Sequence, residues 1–451
     1  MGAADRYLKE GQFSRARRAL ARALETARNP RDRARGLLDL AEYLLLFEPN
    51  QENEAAETLE LAREAWPGVA RDPRFRGLSA LVAAVRGEEP RWTEPRNSLE
   101  AFLLGAAAMR LGQGERGIAY FRRATRLPEH LRWHRELGLG VLLQERGEFE
   151  EALGHIERAM ALSPETERDI IALEAANLLL ELGRPEEARE LLGRVARAQE
   201  ALPADLRARW RYLAGLAELA LGNPRRALAE FEEAERENRE VGDEELALEL
   251  TVVGGHALER LGRWEEAAGR LAEALAAAHP EDRAYLAHEL GVAELEAGRL
   301  REAERHLKQA LADPDYEHRG QAAADLAELY YRAGEYGATE FWAREAARLG
   351  NPAAGELYLG HLAYDRVDLE EALDRYRRVV ELSRPGDNEW MVAQEAVVEI
   401  LAQQGYQNPT ELIKRASEAL RYLTPRDEQR QVLHRYLERA RRKLVDEFRV
   451  N

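Results

Sequence analysis

The residues that could do chemistry are few, and their spacing argues against most of it. Gly112-Gln113-Gly114-Glu115-Arg116-Gly117 fits a Gly-x-Gly-x-x-Gly pattern, which in a dinucleotide site follows a strand and opens a helix, with an acidic residue further on. Here a helical pattern precedes it, and a repeated turn accounts for Gly112 and Gly117. His130 and His134 stand four apart, a spacing that could put two metal ligands on one helical face. No His-Glu-x-x-His accompanies them, and His288-Glu289 runs on into Leu290, Gly291 and Val292. Asp313-Pro314-Asp315-Tyr316-Glu317 faintly resembles a calcium loop but lacks its glycine and its closing glutamate; it reads as a turn. With no cysteine, six serines, nine threonines and no Gly-x-Ser-x-Gly, nucleophile chemistry has no carrier. The sequence therefore predicts no catalytic residue, no metal and no cofactor.

Paired glutamates are common, but Glu150-Glu151, Glu186-Glu187, Glu265-Glu266 and Glu370-Glu371 all fall early in helical patterns. There they complement the helix dipole. Those helices are what organises the chain. After Gly147, the residues Phe149, Ala152, Ile156 and Ala159 recur at steps of 3, 4 and 3, which lines them up on one face. Two of the four are small, so a second helix can approach closely. The same pattern follows Gly11, Gly112, Gly183, Gly222, Gly262, Gly298 and Gly334. Asn50 and Val367 replace the glycine in weaker copies, and a degenerate copy lies near Gly405. From Gly112 to Val367 the steps are 35, 36, 39, 40, 36, 36 and 33 residues, the signature of a repeat array.

Each period also holds a first helix that ends at the turn glycine, where a left-handed residue caps the exposed carbonyls. Proline two residues on, as in Gly183-Arg184-Pro185 and Gly222-Asn223-Pro224, suits the start of the next helix. Gly105, Gly140, Gly291 and Gly360 recur seven residues before the turn. Mid-helix glycine costs roughly 1 kcal/mol, so its recurrence predicts a helix crossing at that point.

These residues resemble the tetratricopeptide repeat family over nearly the whole chain, in about eleven units, with Trp133–Pro164 the best copy. Glu136 and Thr251 stand where that family expects a bulky residue, and 351–379 also resembles the related Sel1-like repeats. Together the period and the resemblance predict an all-α fold, a right-handed α-solenoid or superhelix of helix-turn-helix repeats. The expected layout is N-terminal repeats over 1–86, an irregular loop or hinge at 87–98, the main superhelix over 99–424 and a capping helix over 425–451. In the loop, Trp92 is either a contact residue or a plug for the core. The last segment is amphipathic through Val432, Leu433, Tyr436, Leu437, Ala440, Leu444 and Phe448, as a helix covering a terminal repeat must be. Only Ala3–Glu10 precedes the first turn, which favours a segment of a longer chain.

The resemblance implies a concave groove lined by first helices. Counted from each turn, the groove-like positions are His134, Gln144, Glu145, Asn177, Glu181, Tyr212, His256, Glu259, Arg260, Tyr285, His288, Glu296, Glu328, Tyr331, Arg332, His361, Tyr364 and Asp365. Asn177 matches the asparagine with which some family members clamp a peptide carboxylate, but the lysines of that clamp have no match. The histidines have two readings, ligand-facing or satisfied between helices. Polar and aromatic lining favours a peptide over a small apolar ligand.

Net charge is -17, with residues 1–36 at +6 and 421–451 at +4. An acidic body excludes general nucleic-acid binding and suits a basic ligand; basic ends against an acidic body leave a homo-oligomer open. The first residues carry no apolar leader, and the most apolar run, Leu37–Phe47, is too short to insert in a membrane. These features predict a cytoplasmic protein, and the 62 Arg against 4 Lys, without cysteine, are compatible with a thermophilic source. Function is then expected to be non-enzymatic protein or peptide binding by a scaffold or adaptor. The alternative is a sensor segment of a larger bacterial regulator that binds a peptide or small-molecule effector.

Overall fold

The computed structural model describes residues 3–48, 50–195, 202–424 and 427–450, the last five for their backbone alone. Every regular element in that range is helical. The chain divides into two compact units, Met1–Ala247 and Leu248–Asn451.

In the first unit α1 (Ala3–Lys9) pairs with α2 (Phe13–Glu25), and α3 (Pro30–Phe47) with α4 (Glu52–Ala65). A 3₁₀ turn at Pro67–Arg71 leads to α5 (Pro73–Val85), which has no second helix of its own. The pairs resume with α6 (Ser98–Arg110) and α7 (Gly114–Arg123), then α8 (Glu129–Glu145) and α9 (Phe149–Leu162). Next come α10 (Glu165–Glu181) and α11 (Pro185–Val195), then α12 (Ala204–Ala220) and α13 (Pro224–Val241). The unit boundary falls inside α14 (Glu244–Arg260), which precedes α15 (Trp264–Ala277). The second unit continues with α16 (Arg283–Glu296) and α17 (Leu300–Leu311), α18 (Arg319–Arg332) and α19 (Tyr336–Arg348). It ends with α20 (Pro352–Asp365) and α21 (Leu369–Leu382), α22 (Asn388–Gln403) and α23 (Pro409–Ala419), and α24 (Glu428–Val450). The architecture is an α-solenoid. α24 packs on α22 and α23, burying Leu433, Leu437 and Ala440. The expected start of that segment, 425–426, its last residue 451 and the side chain of Phe448 lie outside the described residues.

The turn rule is physical. Gly147 has φ +76°, and the two substitutes adopt the same left-handed backbone, Asn50 at 62° and Val367 at 62°. The recurring mid-helix glycine is explained as well. A Cβ on Gly140 would come within 2.4 Å of Ile156 Cδ1, and one on Gly291 within 2.8 Å of Leu307. Ile156 and Leu307 are the large residues nine positions after each turn, both fully buried. Burying such a side chain stabilises by roughly 1.5–3 kcal/mol, more than the glycine costs its helix. Close crossing is thus built into each pair.

First helices also touch the first helix of the next pair: α3 with α5, α6 with α8 and α10 with α12, and in the second unit α16 with α18, α18 with α20 and α20 with α22. No comparable contact joins consecutive second helices among the described residues. First helices therefore form one continuous layer within each unit. In the first unit part of that layer is covered from within. α1 lies against α8, with Lys9 Nζ 2.8 Å from Glu129, and a Cβ on Gly11 would strike Thr166 at 2.5 Å.

Residues 88–97 form the irregular connection before α6. Trp92 there packs on α7: its ring lies 6.1 Å from Tyr120, Arg116 covers it at 4.6 Å, and the Tyr120 hydroxyl donates to Thr93 O at 3.2 Å. Trp92 is a packing residue of this connection.

Candidate functional site

The first unit scatters its groove-like residues. His134 on α8 meets Phe47 edge-on at 5.0 Å and stacks on Trp133 at 3.6 Å. Burial, with His130 adding to it, pushes its imidazole down to about 3, so it is a neutral packing group. Gln144 and Asn177 are half-buried, Glu145 and Glu181 exposed, and Tyr212 lies 6.4 Å from Phe231. The buried charge of this unit is elsewhere. Glu42 on α3 accepts from Arg74 Nε at 2.7 Å and faces His130 Nε2 at 3.7 Å. Glu136 on α8, where the family pattern expects a bulky residue, accepts from His155 Nδ1 at 2.7 Å and Arg158 Nε at 3.0 Å. Burial alone would raise that carboxyl, but the bonds from His155 and Arg158 outweigh it and hold it down at about 2. An ion cluster thus surrounds a position where the family pattern expects a bulky side chain.

The second unit gathers its groove-like residues along successive first helices. On α14, His256 and Glu259 are one turn apart, on one face. Opposite them on α16 are Tyr285 and Glu289, also one turn apart. His256 Nε2 lies 3.5 Å from Glu289 Oε2 and 3.4 Å from the Tyr285 hydroxyl. Burial opposes charge on His256, yet the bond to Glu289 and the nearby Glu259 carboxylate raise its pKa above the ordinary histidine value. Burial pushes the Glu259 carboxyl up to about 7, with Glu289 adding to the shift. Burial, together with Glu289 and Glu259, pushes the Tyr285 phenol up to about 12. Arg260, next in line, is exposed.

His288, beside Glu289, turns the other way. Its Nε2 donates to Asp325 Oδ2 of α18 at 2.6 Å, which leaves Nδ1 to accept from the Tyr316 hydroxyl at 2.8 Å. Gln321 and Asn351 extend the line, at 3.2 Å to Asp325 and 2.8 Å to each other. A hydroxyl–imidazole–carboxylate line has the order of a catalytic triad. Burial raises the Tyr316 phenol far above its ordinary value, so the hydroxyl keeps its proton and ties three elements together. The Asp313–Glu317 segment is the turn that delivers it.

Further along, Arg332 bridges Glu296 (2.6 Å) and Glu328, and Glu328 accepts from Tyr358 at 2.9 Å. Tyr331 stacks on His361 at 5.5 Å, and His361 Nδ1 accepts from the Tyr376 hydroxyl at 2.7 Å. Burial lowers the pKa of His361. Burial and a hydrogen bond to Asp365 push Tyr331 up to about 12. Tyr364 reaches α22, donating to Glu399 at 3.3 Å and accepting from Gln403 at 2.8 Å. Sequence reasoning missed Glu289, Asp325, Tyr316, Tyr358 and Glu399. Glu289 and Glu399 could have been found by widening the inner face by one position, whereas Tyr316 comes from a turn and carries no periodic signal.

Polar side chains thus recur on successive first helices of the second unit. Residues 143–209 match the family model described as tetratricopeptide repeat. That stretch carries tetratricopeptide repeats. The crystal structure of the apo form of RapI is similar to it, with TM-score 0.50 and 13% identity, over 77% of this chain and 96% of that one. A tetratricopeptide repeat protein from Parabacteroides merdae matches with TM-score 0.45 and 15% identity, over 60% of this chain and 98% of its own. The Cut9–Hcn1 hetero-tetramer of APC/C matches with TM-score 0.41 and 13% identity, over 97% and 95%. No curated protein matches the sequence. The likeness to RapI speaks to the fold alone. None of the matches bears on the Sel1-like resemblance of 351–379. A tetratricopeptide repeat fold suggests a protein-interaction scaffold, and among the described residues no helix is long and apolar enough to cross a membrane.

Proposed function

We propose that the chain is a non-enzymatic scaffold that binds a peptide or an extended segment of a partner along the first-helix layer of its second unit. The observation that carries this is the run of aromatic and acidic side chains from Glu259 and Tyr285 through Glu328 and Tyr331 to Tyr364 and Glu399, one set per first helix. Two charges of that face, Arg260 and Arg332, are outnumbered by its carboxylates, so the ligand carries Lys or Arg side chains. Aromatic rings between carboxylates suit such side chains, whose stems pack on rings while their heads meet the acids. The sensor reading uses the same face and differs only in what the chain is joined to.

The test is selection of peptides from a random library on the immobilised full chain, followed by fluorescence anisotropy with the selected sequences. Basic sequences should be enriched, and their binding should weaken as salt is raised. Tyr285→Ala with Tyr364→Ala should weaken binding at least tenfold, while Asn177→Ala in the first unit changes nothing. Selected peptides that bind the double variant as well as the parent would refute the assignment.

A further inference from the structure

The trio His256, Glu259 and Glu289 offers more than a peptide contact. One ligand-type atom from each lies within 4.8 Å of the other two, and the His256 Nε2 to Glu289 Oε2 separation is 3.5 Å. A four-coordinate ion with bonds of about 2.0–2.1 Å holds its ligand atoms about 3.3–3.4 Å apart, so small side-chain rotations close the set around one ion. Glu259 Oε1 is buried and has no hydrogen-bond partner, a costly state for a carboxylate oxygen. We propose that His256, Glu259 and Glu289 bind a single divalent transition-metal ion, with Zn2+ the reference, leaving its fourth position open on the side of Tyr285.

Charge balance supports this. With His256 protonated and both glutamates ionised, the trio carries an uncompensated negative charge. A divalent ion with a neutral imidazole and two carboxylates is neutral as a group, and it gives Glu259 Oε1 the partner it lacks. The charged and titratable neighbours are Arg260 near Glu259 and His288 and His318 near Glu289. One imidazole and two carboxylates form a mixed nitrogen and oxygen donor set, which takes Zn2+ and its first-row neighbours rather than soft ions. Imidazole and carboxylate bind a metal in their deprotonated forms, so binding releases protons and weakens as pH falls. None of this requires the peptide reading to be correct.

The experiment is titration of the full, metal-stripped chain with Zn2+ by calorimetry, in two buffers of different ionisation enthalpy, with the bound metal quantified after dialysis. The expected result is one tightly held ion per chain, released protons, and affinity that falls as pH falls. Co2+ should give the visible absorption of a four-coordinate site. Glu259→Gln and Glu289→Gln should each weaken Zn2+ binding at least tenfold, and Glu370→Gln, exposed at the start of α21, should leave it unchanged. Circular dichroism of each variant confirms the fold, and Glu259→Gln removes the carboxylate charge with nearly the same shape. No retained ion, or equal retention by the parent and both trio variants, overturns the assignment. Peptide binding that survives in metal-free protein leaves the proposed function standing whichever way the titration falls.

Discussion

Val367 is the one turn in the second unit's glycine series where a β-branched residue holds the left-handed position, at φ 62°. Its amide donates to Tyr364 O at 2.9 Å and the next amide to Ala363 O at 3.0 Å, so the helix stop it provides is fully formed. The side chain is 77% exposed and has little packing to lose. Left-handed backbone costs an L-residue about 1–2 kcal/mol, and a β-branched one lies at the unfavourable end. Glycine removes that strain but gives back roughly 0.5–1 kcal/mol through its freer unfolded chain. The balance predicts that Val367→Gly stabilises the α20–α21 pair by about 0.5–1 kcal/mol. Val367→Asn should act in the same direction, since asparagine tolerates this backbone without glycine's entropy.

In a repeat array each pair leans mainly on its neighbours, so the gain is local and is best read by hydrogen exchange. Amides of α20 and α21 should exchange about two- to fivefold more slowly in Val367→Gly, with those of α8 and α9 unchanged. Gly334→Val, one turn earlier at φ 74°, is the mirror experiment and should speed exchange in α18 and α19. If Val367→Gly loosens its pair, or if Gly334→Val is tolerated without change, left-handed strain does not govern these turns.

Two further outcomes follow from contacts already described. Gly140→Ala puts a methyl into Ile156 and near Ala152 O; it should destabilise the α8–α9 pair by about 1–3 kcal/mol in urea unfolding, the usual range for overpacking. Glu136 is depressed in the fold, to about 2 from the ordinary 4.5. Its contribution is therefore complete above pH 4.5 and disappears as pH falls toward 2. Glu136→Gln should lower stability at pH 7 by about 1–3 kcal/mol and flatten the acid limb of a pH–stability profile; an unchanged acid limb would show that the cluster is screened by water.

The turn series was legible because a left-handed backbone selects so few residues that position alone reveals it, and Asn50 and Val367 fell into place by spacing although neither is glycine. The mid-helix glycines were legible for a related reason: Gly140 and Gly291 are unfavourable where they stand, and only a crossing side chain accounts for them. What escaped was everything decided by a contact distant in sequence. Nothing local to His134 announces that Phe47, at the end of α3, will cover it. Nothing in Glu136 announces the partners that let a carboxylate replace a bulky core residue. The inner face has the same limit. A period fixes which side of a helix faces inward but leaves the inner face about two residues wide, so His288 and Glu289 were equivalent by count. Their neighbours separate them: Asp325 and Tyr316 capture both nitrogens of His288, while Glu289 is left to His256 and the unpaired Glu259. Residues whose hydrogen-bonding capacity is used up inside the fold are supports, and those left with capacity to spare are where a ligand or an ion has something to gain.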